Sequence, residues 1–203
     1  IKSLYSSLGY NFATVEMKLN EINQDNYDLL IEINRGKKTK ISSIDFIGNN
    51  SVRSKRLRSI IASEENKFWK VISRNTVLSK NLINLDKRLL SNYYKSIGYY
   101  NVRINSNLAE VINSEEAKLI YSIDEGNRYL FGKISTNLDS VFDKKIFFPL
   151  NKKYKEFVGL HYSPFRIKEI LEEIDQIISN NNLQFVEHNV QEKINNDTID
   201  KSG

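Results

Sequence analysis

An internal repeat constrains this chain more than any other feature. The stretch Leu4-Tyr5-Ser6-Ser7-Leu8-Gly9-Tyr10 returns as Tyr93-Tyr94-Lys95-Ser96-Ile97-Gly98-Tyr99. Asn20-Glu21-Ile22 returns as Ala109-Glu110-Val111, and Leu30, Ile33 and Gly36 return as Ile120, Ile123 and Gly126. Partners lie 89 or 90 positions apart in a chain of 203 residues. A fainter third copy, Ile177-Ile178-Ser179-Asn180-Asn181-Asn182-Leu183, has Asn where the others have Gly. The repeat favours small modules in tandem over one large domain.

The middle copy is complete and shows the internal order. Ser42, Ile44 and Phe46 alternate with Ser43, Asp45 and Ile47, which predicts a strand ending at Gly48-Asn49-Asn50. Ser54 is placed to cap a short helix with Leu57, Ile60 and Ile61 on one face. Leu82, Leu85, Leu89, Tyr93 and Ile97 recur at helical spacing, and Gly98 ends that helix. Val102 and Ile104 alternate with Asn101, Arg103 and Asn105 in a second strand. Ala117, Leu119, Tyr121 and Ile123 form a third, with Asn113-Ser114-Glu115-Glu116 as the turn between them. The fold class is therefore α+β: each module reads β-α-α-β-β, a three-stranded sheet covered by two helices on one face.

The first copy contributes a helix end, then Ala13/Val15/Met17/Leu19 and Tyr27/Leu29/Ile31/Ile33. The third starts near Arg128. Ser163-Pro164 opens its long helix as cap and first helical position. Ile167, Ile170, Leu171, Ile174, Ile177 and Ile178 form the buried stripe, and 183–190 reads as a second strand. The polar stretch after Lys193 leaves the third strand missing or unfinished. The expected division is 1–37, the C-terminal part of one module; 38–127, a complete module; and 128–203, a module incomplete at its C-terminus. Gly36-Lys37-Lys38 and Gly126-Asn127-Arg128 are the joints.

Composition narrows the chemistry. There are no cysteines, which excludes a disulfide framework and a thiolate metal site. The net charge of +5 is spread, with Asp and Glu scattered among Lys and Arg. No apolar run is long enough to span a bilayer. The chain opens without Met or a signal pattern and reads as a piece of something longer. His161 and His188 stand apart in the last module, and Asp124-Glu125 reads as a charged turn closing a strand. No catalytic constellation, cofactor or metal is expected, so the chain is not expected to be an enzyme. Arg53, Lys55, Arg56 and Arg58 lie on the polar side of the short helix, opposite Leu57 and Ile60, which favours a solvated face over a phosphate contact. Phe68 and Trp69, between Lys67 and Lys70, are either a lid on the core or an exposed aromatic contact for a partner.

The repeated residues resemble the POTRA domains of BamA-type outer-membrane protein assembly factors. The family pattern ends the long helix in Tyr-Tyr-x-x-x-Gly-Tyr, as in Tyr93-Tyr94-Lys95-Ser96-Ile97-Gly98-Tyr99, and closes the third strand with Glu-Gly, as in Glu125-Gly126. Its first strand commonly ends in Gly-Asn, matching Gly48-Asn49. Lys67-Phe68-Trp69-Lys70-Val71-Ile72 resembles the aromatic loop of the third POTRA domain. The resemblance spans nearly the whole chain and implies the end of a second domain, all of a third and most of a fourth. The last copy departs at Asn181-Asn182 and at Leu138, where the family has Gly.

The resemblance implies the periplasmic portion of a Gram-negative outer-membrane protein whose full length carries its own C-terminal membrane β-barrel. It implies binding of unfolded outer-membrane β-barrel proteins and accessory assembly lipoproteins, with no nucleic acid. The expected mechanism is strand addition: if the third strand is central, the second is an edge with unpaired main-chain groups. The candidate binding residues are Asn101, Val102, Arg103, Ile104, Asn105 and Val111, with Phe68 and Trp69 as the aromatic contact. Asn101, Arg103 and Asn105 on the polar face blunt the edge against aggregation. One alternative within the family is a transporter of the two-partner secretion or translocation-assembly type. Another, from a different class, is a nucleic-acid-binding α+β module, which calls for aromatics on the exposed sheet face, where this chain has Asn101, Arg103, Lys118, Ile120 and Ser122.

Overall fold

The computed structural model describes residues 1–23, 26–67, 74–184 and 186–200; the side chains of Arg74 and of 107–111 also lie outside the description. The chain divides into two compact units: Ile1–Ser91 with Ile104–Asp124, and Asn92–Arg103 with Glu125–Gly203.

The first unit opens with helix α1 (Lys2–Ser7) and a hairpin of β1 (Thr14–Asn23) and β2 (Asn26–Asn34). Val15 faces Ile33, Met17 faces Ile31 and Leu19 faces Leu29 across it. These period-two apolar residues mark one face of each strand. The face is open: Met17 is 69% and Leu19 64% exposed.

Next come β3 (Lys40–Ile47), α2 (Ser54–Arg58), α3 (Lys80–Ser96), β4 (Arg103–Asn113) and β5 (Glu116–Asp124). The sheet order is β3-β5-β4, with β3 and β5 parallel. Ala117, Leu119, Tyr121 and Ile123 of β5 are buried, as their alternation predicts. In β3 the alternation is broken by a bulge between Ile41 and Ser43. The two core residues are consequently Ile41 and Ile44, three positions apart. Phe46 stacks on Tyr121 with ring centroids 5.7 Å apart.

Both helices correct the sequence reading. Ser54 is the first residue of α2 rather than its cap; the cap position is Arg53, and Ser54 Oγ instead accepts from Asn49 Nδ2 at 3.2 Å. In α3 the expected stripe of Leu82, Leu85, Leu89, Tyr93 and Ile97 is only half-buried, and the fully buried line is Asp86, Leu90 and Tyr94. An apolar-only reading misses a core position held by a carboxylate. Asp86 tolerates complete burial because three donors reach it: Ala62 N–H at 2.7 Å, Ser63 N–H at 3.1 Å and the Tyr121 hydroxyl at 2.5 Å.

The three copies of the repeat end their helices alike. Tyr10 N–H donates to Tyr5 O at 2.9 Å, Tyr99 N–H to Tyr94 O at 3.0 Å and Leu183 N–H to Ile178 O at 3.1 Å, the six-to-one bond of a Schellman cap. The residue before each donor has positive φ: Gly9 at 94°, Gly98 at 107° and Asn182 at 52°. Asn182 thus fills the place of the missing Gly, a substitution Asn tolerates better than other side chains.

In the second unit, α4 (Leu150–Phe157) and α5 (Pro164–Asn180) pack Phe147, Leu150, Tyr154, Phe157 and Ile170 into a core joined by Leu138 and Leu183. Pro164 takes the first turn of α5 as expected, but the Ser163 side chain makes no capping bond; its carbonyl accepts from Arg166 and Ile167. The strand expected at 183–190 does not form among the described residues. Leu183 reaches the core, whereas His188 turns its ring to Asp175 at 2.7 Å. The extended stretch near the start of the unit lies instead between two other pieces of chain. Phe131 N–H donates to Leu160 O and Tyr162 N–H to Tyr129 O on one side; Leu130 N–H donates to Thr198 O on the other.

Candidate functional site

The sheet of the first unit places β5 in the centre, so β4 is an edge. Two features of the sequence produce this. Ser114 and Glu115 form a tight turn, and Asn113 Oδ1 accepts from the N–H groups of Glu115 and Glu116, fixing β4 beside β5. The β3 strand then takes the other side of β5, with Lys40 N–H donating to Glu115 O at 2.6 Å.

The edge is longer and begins later than the alternation suggests: β4 runs Arg103–Asn113, eleven residues. Arg103 and Asn105 are exposed on its polar face, and the Ile104 side chain is buried. Asn101 and Val102 precede the strand. Val102 N–H donates to Tyr99 O at 3.3 Å, and Asn101 Nδ2 donates to the Tyr129 hydroxyl at 3.4 Å, so both belong to the turn after the helix. The backbone of Val111 lies in β4, and its side chain is outside the description. Phe68 and Trp69 lie outside the described residues.

Sequence reasoning missed the buried polar groups that hold this sheet. Burial, and then the Asp86 carboxylate, push the Tyr121 phenol far above its ordinary range. In the second unit the Tyr94 hydroxyl donates to Glu125 at 3.0 Å, and burial followed by that carboxylate pushes the Tyr94 phenol up in the same way. Both tyrosines stand in alternating apolar patterns, which mark the ring and conceal the hydroxyl. The two histidines also have partners that the sequence does not announce: His161 Nε2 lies 2.8 Å from Asp200 Oδ2, and His188 meets Asp175. Among the described residues no cluster of His, Cys, Asp and Glu is arranged to hold a metal ion.

Residues 39–126 match the family model for POTRA, described as a surface antigen variable number repeat. The outer membrane protein assembly factor BamA of Neorickettsia risticii is 27% identical over 135 residues, covering 66% of this chain and 18% of that protein. BamA of Neisseria meningitidis serogroup B is 23% identical over 141 residues, covering 69% of this chain and 18% of that protein. The crystal structure of Haemophilus influenzae BamA POTRA3-5 superposes with a TM-score of 0.56 at 17% identity, covering 98% of this chain and 74% of that one.

Residues 39–126 thus match POTRA, and the chain is similar to outer membrane protein assembly factors of the BamA type. It spans 18% of each of the two curated relatives. Among the described residues, no helix of the segment is long and apolar enough to cross a membrane. The POTRA fold also accounts for the order of elements from β3 to β5, which lie within the matched residues.

Proposed function

We propose that this POTRA segment binds extended protein chains by strand addition along β4 and catalyses no reaction. Unfolded outer-membrane β-barrel proteins are the clients, accessory lipoproteins are further partners, and the full-length protein carries its own membrane barrel. The single observation that supports the reading is the place of β4 at the edge of a three-stranded sheet. A strand that adds there gains main-chain hydrogen bonds whatever its side chains, which suits a binder of many clients.

The geometry selects the probe. The pair flanking a two-residue turn is a hydrogen-bonded one, so in a regular ladder counted back from Asn113, Asn105 falls opposite Asp124, the last residue of β5, and directs its main-chain groups to it. In that register Ser106 directs its own outward. Proline at 106 removes an outward N–H without touching the internal ladder. Ser106→Pro is expected to weaken binding of an unfolded outer-membrane-protein segment by at least about tenfold, or ~1.4 kcal/mol, in a calorimetric titration. Ser106→Ala and Arg103→Ala should bind nearly as wild type. A folded Ser106→Pro protein that binds like wild type sinks the reading. Equal losses for Arg103→Ala and for added salt would instead assign the affinity to charge.

A further inference from the structure

The sheet has two edges, and the second is not open. From Thr39, just before β3, as far as Ile44, main-chain groups that face away from β5 are occupied. Thr39 N–H donates to Gly9 O at 3.0 Å, and Thr39 O accepts from Leu78 N–H at 2.8 Å. Ile41 O accepts from Asn66 N–H at 2.7 Å. At Ile44 the cover passes to side chains. Ile44 N–H donates to Glu65 Oε1 at 3.2 Å, and Ile44 O accepts from Arg58 Nη2 at 2.6 Å and Nε at 3.2 Å. A carboxylate and a guanidinium thus supply the acceptor and the donors that a neighbouring strand would supply. They also lie 3.7 Å from each other.

The cover is anchored in the core. Glu65 and Asn66 follow Ala62 and Ser63, whose N–H groups are held by the buried Asp86, and Asp86 is held in turn by Tyr121 of the central strand. Glu64 N–H donates to Asn75 O at 3.0 Å. The short segment from Ala62 to Asn66 is therefore fastened at one end to α3 and β5 and laid along β3 at the other.

We infer that residues 58–66 form a latch that masks a second strand-addition edge at β3, so that an incoming extended chain is directed to β4 alone. Arg58 and Glu65 are the specificity-determining side chains, and Asp86 is the positioning residue. This inference rests on the strand-addition reading for the identity of the incoming chain; the closure of β3 does not depend on it. Edge strands left open invite unspecific pairing, and charged side chains aimed along the edge suppress it.

The test uses the whole chain and a capped nine-residue peptide of alternating apolar and polar residues. In the wild type, the Ile44 amide should exchange slowly although it points away from the sheet. Fast exchange there overturns the latch without any variant. In Arg58→Ser/Glu65→Ser the Ile44 amide should exchange at least about tenfold faster. In that variant the peptide should shift β3 amides as well as β4 amides. Arg58→Lys/Glu65→Gln keeps a donor and an acceptor in place and should behave as wild type. Peptide shifts confined to β4 in the double-serine protein overturn the latch alone. Absence of β4 shifts in the wild type overturns the proposed function, and the exchange of Ile44 still decides the latch. If the double-serine protein does not fold, Glu65→Ser alone gives the same readout at Ile44.

Discussion

At the scale of single residues, the helix-ending position illustrates how a weak sequence signal becomes a physical requirement. A Cβ built on Gly98 would lie 2.9 Å from Arg128 Cγ and 3.3 Å from Tyr129 O, and φ there is +107°. The carbonyl of Gly98 is also spent on Tyr129 N–H at 2.8 Å. Gly98→Val is therefore expected to destabilise the protein by at least ~1 kcal/mol in chemical denaturation. Asn182 supplies the matching test: Asn182→Gly should keep stability and Asn182→Val should lose about 1 kcal/mol. An unchanged unfolding midpoint for Gly98→Val would show that the cap is dispensable. Gly98 and Gly9 were legible because they precede aromatic residues in both copies. Asp86 was not, because nothing local distinguishes a carboxylate that meets Tyr121 from one that meets water; its three donors come from 23 to 35 positions away.

At the scale of elements, the strands that packed were the strands that could be read. β5 alternates cleanly because one face meets the helices and the other does not. β3 was placed correctly, although its bulge re-aims Ile41, since alternation presumes a regular pleat. The stretch 183–190 was misread as a strand because alternation alone does not supply a partner. The hairpin of β1 and β2 shows the converse case. Its register is regular, but its apolar residues are exposed, and a two-stranded ribbon without cover is marginal in water. Its amides are expected to exchange far faster than those of Leu119 and Tyr121 in β5, measured site by site in the native state. Equal protection of the two would mean that the hairpin is as firmly held as the sheet. The β4 edge was legible in outline, since its place depended only on which strand is central; its start at Arg103 was not, because Val102 is drawn into the turn by Tyr99 O.

At the scale of the whole molecule, both units depend on neutral buried phenols. Tyr94 and Tyr121 have folded-state pKa values raised above the ordinary value of 10.0, by burial first and by a neighbouring carboxylate second. A group bound to its proton more tightly in the folded than in the unfolded state stabilises the fold below its unfolded pKa. That contribution is lost as pH rises, because only the unfolded chain releases the proton. The thermal midpoint is therefore expected to fall as pH passes 10 and beyond. Tyrosinate absorbance should rise in two stages, the second coinciding with unfolding. A single early stage with no loss of stability would show these phenols free to ionise. The same structure also imposes an order in time. The latch groups that cover Ile44 lie 14 and 21 positions along the chain from it, whereas β5 pairs with β3 across roughly 75. Short loops close at lower entropic cost than long ones. In a chain that emerges from its N-terminus, the side-chain cover of β3 is therefore expected to form first and to be fastened by Asp86 only when Tyr121 of β5 arrives on the flank left vacant.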